Sequence, residues 1–297
     1  MRGAEQGFLL LTCPLGDPER GVLTTAQFRT LAKRAAQMEM PLEDRDLTVA
    51  DIVSLGYGES FAQRIIYLLS QADLLAHYLQ CSRRAGCQSI SRLHEDYPIR
   101  LRKVLGLDSP GSLWAKGDLS LLRMPMVALV GSRDLREENA AFARQVGTEA
   151  ARQGYVLVSG NARGADKTAQ NACLEAGGKV ISVLADELEK YPTRDNLLYL
   201  SEDGFDLPFT AQRALSRNRV IHALGEKTFV AQVSDGHGGT WDGTVKNLRF
   251  GWSNVFCFQD ATPGVENLIQ MGATPISAVE LQNISDLKPD NLNFFDQ

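Results

Sequence analysis

From Val127 onward the chain alternates short, continuous apolar runs with amphipathic segments. That alternation limits the possible folds more than any other feature of the sequence. VALV at 127–130 leads into EENAAFARQVGTEAARQG, whose apolar residues recur at helical spacing until Gly154. YVLVSG, ADKTAQNACLEAGG, KVISVLA, KTFVAQV and NVFCFQ continue the pattern, and GVENLIQMGATPI follows. A strand that is apolar on both faces must be covered on both faces. Parallel strands joined by helical crossovers supply that cover.

The expected fold is therefore α/β: an extended Rossmann-like, doubly wound, mainly parallel sheet over residues 124–285, with right-handed crossovers. Residues 1–90 read as a small helical domain that precedes it. LTTAQFRTLAKRAAQ carries a Thr24 or Thr25 cap, TVADIVSLG carries a Thr48 cap and stops at Gly56, and ESFAQRIIYLLSQADLLAHYLQCSRRAG is one long helix or two abutting ones. The helix–glycine–helix units around Gly56 and Gly58 resemble SAM or helix-hairpin-helix modules, with a plain structural helical domain as the simpler reading. Residues 91–123, broken by Pro98 and Pro110, read as a connector with room for a short strand at SLWAKG, and 286–297 as a tail. A length of 297 residues suits two such domains, since single cores rarely grow past about 250–300 residues.

Composition removes several function classes. The net charge is −5 and no lysine-rich run occurs, so any nucleic-acid contact must come from a local basic patch. The five cysteines are scattered without a CxxC pair, which argues against a zinc site and for a reducing, cytoplasmic setting. The FLLL run at 8–11 is too short for a signal-peptide core, and no stretch nears the roughly 20 apolar residues of a membrane span.

Chemistry gathers where strands should end. VALV runs into Gly131, Ser132 and Arg133: a residue that lets backbone approach a ligand, a hydroxyl, and a cation able to grip a phosphate bidentately. The next strand ends in Ser159 and Gly160, followed by Arg163, Gly164 and Asp166. Asp166 suits a helix cap and a ligand contact equally. RALSRNRVIHALG brings Arg213, Arg217, Asn218 and Arg219 together without an acid, and Arg213 and Arg217 at i,i+4 would repel unless an anion joined them. Gly238, Gly239 and Thr240 after KTFVAQV repeat the glycine-and-hydroxyl chemistry of a phosphate loop. The expectation is one crevice in which Arg133, Arg217 and Arg219 contact phosphates while Gly131, Gly160, Gly164 and Gly239 let them reach main-chain amides. Phe209 and Trp241 are the main aromatic candidates for stacking a base, so binding should be driven by the backbone and indifferent to sequence. No GxGxxG, GxSxG or metal-ligand spacing occurs, and His237 reads as a loop residue. Neither cofactor, metal nor catalytic residue is therefore expected.

Taken in order, these residues match a family. Tyr97-Pro98 before LRKVL, Lys116-Gly117, Gly131-Ser132-Arg133, and Ser159-Gly160 with Gly164 and Asp166 come first. Tyr191-Pro192, Ser201-Glu202, Arg217-Asn218-Arg219, Gly239-Thr240 and LIQMGA complete the series. Over about residues 90–280 the chain resembles the DprA/Smf DNA-processing family. The resemblance implies a non-enzymatic, dimerising protein that binds single-stranded DNA, protects incoming DNA and loads the RecA recombinase during transformation or recombination. The chain departs from the family pattern at Ala165, at Gln170, at Ala214-Leu215-Ser216, and at His237 and Trp241, and no C-terminal winged helix is expected before Gln297. The competing reading is a LOG-like nucleotide-binding or nucleotide-hydrolysing protein, a sensor or defence component, with Asp242 near the position of a catalytic acid. It lacks the full PGGxGTxxE pattern.

Overall fold

The computed structural model describes residues 3–37, 46–202 and 204–290. Part of the expected tail, residues 291–297, lies outside them. The described residues begin with the helices α1 (Gly3–Thr12), α2 (Thr25–Gln37), α3 (Val49–Ser54), α4 (Glu59–Leu69) and α5 (Ala72–Arg84). Thr48 caps α3 through a reciprocal box with Asp51. Thr24 and Gln27 make the same exchange ahead of α2.

A nine-stranded sheet follows. Its first strands are β1 (Gln88–Ser91) and β2 (Ser112–Lys116), separated by α6 (Ile99–Leu105). Then come β3 (Met126–Val130), α7 (Glu137–Arg152), β4 (Val156–Ser159), α8 (Ala165–Glu175), β5 (Lys179–Leu184) and β6 (Leu197–Glu202). Next come α9 (Ala211–Leu224), β7 (Lys227–Val230), α10 (Gly239–Phe250), β8 (Asn254–Phe258), α11 (Pro263–Gln270) and β9 (Thr274–Ile276). The strand order is β1-β2-β6-β5-β4-β3-β7-β8-β9. Strands β3 to β9 pair in parallel, while β2 runs antiparallel to β1 and β6.

Helices cover both faces, as the two-sided apolar strands require. Phe142, Val146, Ala169 and Cys173 of α7 and α8 fill one face. Val220, Ile221 and Leu224 of α9, with Val265 and Leu268 of α11, fill the other. The short strand that SLWAKG leaves room for forms as β2, while β1 and β6 go beyond the sequence expectation. The stretch read as a connector adds β2 to the sheet, buried along its whole length, because Trp114 packs between Tyr78 and Phe205. LLYLSE, an apolar run that follows the turn at Asp195 and Asn196, forms β6. The helical segment is also less separate than its patterning suggests. Helices α2, α3 and α4 share their own apolar cluster, but Leu9 and Leu10 of α1 and Leu75 and Tyr78 of α5 join the core of the sheet.

Candidate nucleic-acid interface

Chain order in the sheet reverses at β3. Successive strands β4, β5 and β6 extend one way from it, and β7, β8 and β9 the other. In such sheets the loops leaving the two strands at the switch diverge and open a crevice beyond their carboxyl ends. Here a cavity of ≈ 650 Å³ lies at that place. Its walls are Gly131 to Asp134 after β3, Gln232, Ser234 and His237 to Thr240 after β7, and the face of α9 bearing Arg217 and Asn218. The loops are tied to each other. The Ser132 amide donates to the Gln232 carbonyl (3.0 Å), the Gln232 side chain donates to the Asp134 carbonyl (2.9 Å), and Asn218 Nδ2 donates to the Gly239 carbonyl (3.0 Å). Gly238, at φ +92°, makes the turn into α10, whose first-turn amides lack intrahelical acceptors and face an anion favourably. Arg133 is exposed and, among the described residues, has no hydrogen-bond or ion-pair partner.

A smaller cavity of ≈ 310 Å³ adjoins the first beyond β4 and β5. Arg133, Ala162, Phe209 and Arg217 border both.

The sequence-derived residues separate into groups. Gly131, Ser132, Arg133, Arg217, Asn218, Gly238, Gly239 and Thr240 line the larger cavity; Gly160 and Arg163 line the smaller one. Arg163 is exposed and pairs with Asp134 at 2.5 Å. Ser159, fully buried, is the last residue of β4. Gly164 holds φ +85° with the Ser132 and Arg133 carbonyls where a Cβ would lie, so it serves loop packing. Gly131 likewise abuts Ala165 at the start of α8.

Asp166 turns inward. Its Oδ2 accepts the amides of Gly160 (3.1 Å) and Ala162 (3.2 Å), so the β4 loop's own carboxylate fills the nest that was expected to receive a phosphate. Burial raises its carboxyl above the ordinary range, opposed by the charge of Arg217. Burial in turn lowers Arg217, which donates to the Val183 carbonyl at 2.7 Å while its Nε has no partner among the described residues.

Arg219 lies elsewhere. It binds Glu202 at 2.6 Å and the Asp108 carbonyl at 3.0 Å, away from the crevice. Helix geometry requires this separation, because residues two apart on a helix point to nearly opposite sides. The expected set of three arginines in one crevice reduces to Arg133 and Arg217. No external anion is needed to reconcile Arg213 with Arg217: Arg213 donates to the carbonyls of Ala185, Leu207 and Pro208 at 3.0, 2.6 and 2.8 Å. His222 is buried, bonded to Asn247 (3.0 Å), and pushed down to about 3 by desolvation. Gln232, which clamps the two loops together, escaped sequence reasoning. A lone polar residue after an apolar strand was its only signal.

A doubly wound sheet with an exposed arginine, a helix N-terminus and glycine loops at its switch point defines a Rossmann-like protein with a polar crevice at that edge. The chain belongs to the DNA recombination-mediator protein A family, whose model matches residues 88–286 and so takes in all nine strands. DNA processing protein DprA of Streptococcus pneumoniae is 34% identical over 207 residues, covering 64% of this chain and 71% of that one. DprA of Bacillus subtilis is 29% identical over 222 residues, covering 69% and 73%. The X-ray structure of Streptococcus pneumoniae DprA superposes with a TM-score of 0.75 at 24% identity over 97% of this chain and 99% of that one, helical segment included. DprA from Helicobacter pylori, studied for its single-stranded DNA binding mode, matches with a TM-score of 0.56 at 22% identity over 66% of this chain and 94% of that one. These two likenesses concern the fold.

Proposed function

We propose that this protein binds single-stranded DNA in DNA processing, holding backbone phosphates in the crevice between β3 and β7. The observation that carries this reading is Arg133, an exposed cation with no partner among the described residues, set beside the N-terminus of α10. One arginine and a set of backbone donors suit a phosphate that arrives from outside. The Helicobacter pylori relative's single-stranded DNA binding supports the same choice of ligand. In this reading the protein works in the cytoplasm as a homodimer and passes its strand to RecA. Its role is binding, and no residue is assigned a catalytic step.

The test is a titration with single-stranded DNA, duplex DNA and mononucleotides at two salt concentrations. Single strands should bind best, and their affinity should fall with salt by roughly 0.7 log units per tenfold change for each phosphate neutralised. Mononucleotides binding more tightly than oligonucleotides, with little salt response, would overturn the reading in favour of a nucleotide sensor.

A further inference from the structure

Two walls of the cavities hang on one point of the chain. Between the end of β6 and the start of α9, residues 204–210 run as a loop that carries the exposed Phe209 to the border of both cavities. Residues 185–191, after β5, contribute Ala185, Asp186 and Tyr191 to the smaller one. The Leu188 amide donates to the Phe205 carbonyl at 2.7 Å, so the two loops move as one. Arg213 ties their far side through the carbonyls of Ala185, Leu207 and Pro208.

The near side is held from the helical segment. Tyr78 of α5 is buried, and its ring packs against Phe205 and Trp114 with centroids 5.0 and 5.1 Å apart. Its hydroxyl donates to the Asp206 carboxylate at 2.5 Å. Burial, and then that bond, raise the phenol above its ordinary range, so it stays a donor. A buried hydroxyl that lost its acceptor would keep the cost of desolvation, which ties the loop to the helix. We infer that Tyr78 is a positioning residue for DNA binding: it lines neither cavity, but by holding Phe205 and Asp206 it sets the loops that wall both, and so couples the helical segment to the crevice. This inference rests on the DNA-binding proposal and extends the binding machinery into the helices that precede the sheet.

Oligothymidylate binding by the full chain, measured well below each variant's melting temperature, tests the coupling. Tyr78→Phe keeps the ring and removes only the hydroxyl. It should weaken binding about five- to tenfold, the size of one lost hydrogen bond, and leave the salt slope unchanged because no phosphate contact goes with it. Asp206→Ala removes the same bond from the loop side and should give a similar loss, with the double variant no weaker than either single one. In a Phe209→Ala background, Tyr78→Phe should cost no further affinity, since the wall that Tyr78 sets is already gone. A merely structural tyrosine would lower the melting temperature and leave binding by the folded protein as in wild type. That result, or additive losses in either double variant, would overturn the positioning role while leaving DNA binding intact. If the wild-type protein bound no oligothymidylate at low salt, the DNA reading itself would fail and the positioning role with it.

Discussion

The guanidinium of Arg217 occupies the space beside the α-carbon of Gly160: a Cβ added there would lie 1.7 Å from Nη1. Gly160 is thus a seat for a buried arginine, whereas Gly239, with its nearest neighbours at 3.4 and 3.5 Å, has room for a methyl group. The two glycines look alike in sequence and should respond differently to the same change. Gly160→Ala should lower stability by about 1–3 kcal/mol, the usual range for overpacking, as Arg217 is driven from its seat. Gly239→Ala should melt near the wild-type temperature and weaken DNA binding by narrowing access to the α10 amides. Equal melting temperatures for the two variants would contradict the distinction.

Gly131 makes a related prediction that a double mutant can isolate. A Cβ at Gly131 would come within 2.5 Å of the Ala165 Cβ, so Gly131→Ala should destabilise the β3–α8 contact. Removing the opposing methyl group with Ala165→Gly should recover part of that loss, beyond the sum of the single effects, because the two sites touch. Strict additivity in chemical denaturation would show that the contact does not set the choice of glycine.

Arg133 and Arg219 should part company when each is changed to alanine. Loss of Arg133 should leave stability unaltered and reduce the salt dependence of single-strand binding by the share of about one phosphate contact. Loss of Arg219 removes the partner seen on Glu202, whose side chain is only 8% exposed, while the Arg219 side chain is 23% exposed. The cost should lie between the ~1 kcal/mol of an exposed pair and the ~3 kcal/mol of a buried one, with the salt slope unchanged. A lower slope in Arg219→Ala would return that residue to the crevice.

His222 should leave a mark on the acid side of the stability profile. Burial holds it down to about 3, against an ordinary 6.5. Between those values the unfolded chain takes up a proton that the native protein refuses. The contribution is therefore full above pH 6.5 and falls as the pH drops toward 3, by up to ~1.4 kcal/mol per pH unit. Urea unfolding of wild type and His222→Gln across this window should give the variant the shallower pH dependence. Parallel profiles would show that His222 titrates alike in both states.

Much of the fold was legible because period is a local property. Apolar runs such as VALV and VLVS needed cover on both faces wherever they lay, and the helices between them supplied it. The strand-end positions of Gly131, Ser132, Arg133, Gly239 and Thr240 followed from the same pattern, since a doubly wound sheet gathers such loops at one edge. The opposed directions of Arg217 and Arg219 were also implicit in helix geometry.

Other features depended on partners distant in the chain. Trp114 drew the supposed connector into the sheet through Tyr78 and Phe205, which are separated from it in sequence. Glu202 on β6 claimed Arg219, and Val183 on β5 claimed Arg217. Asp166 satisfied its own loop's amides before any ligand could. A residue's type determines which interactions it can make. Which of them it does make is decided by the groups that packing brings within about 3 Å, the range over which hydrogen bonds form. The sequence by itself thus determined the sheet, its covered faces and the edge where ligands belong. Only the tertiary structure decided which arginine was left facing solvent to meet one.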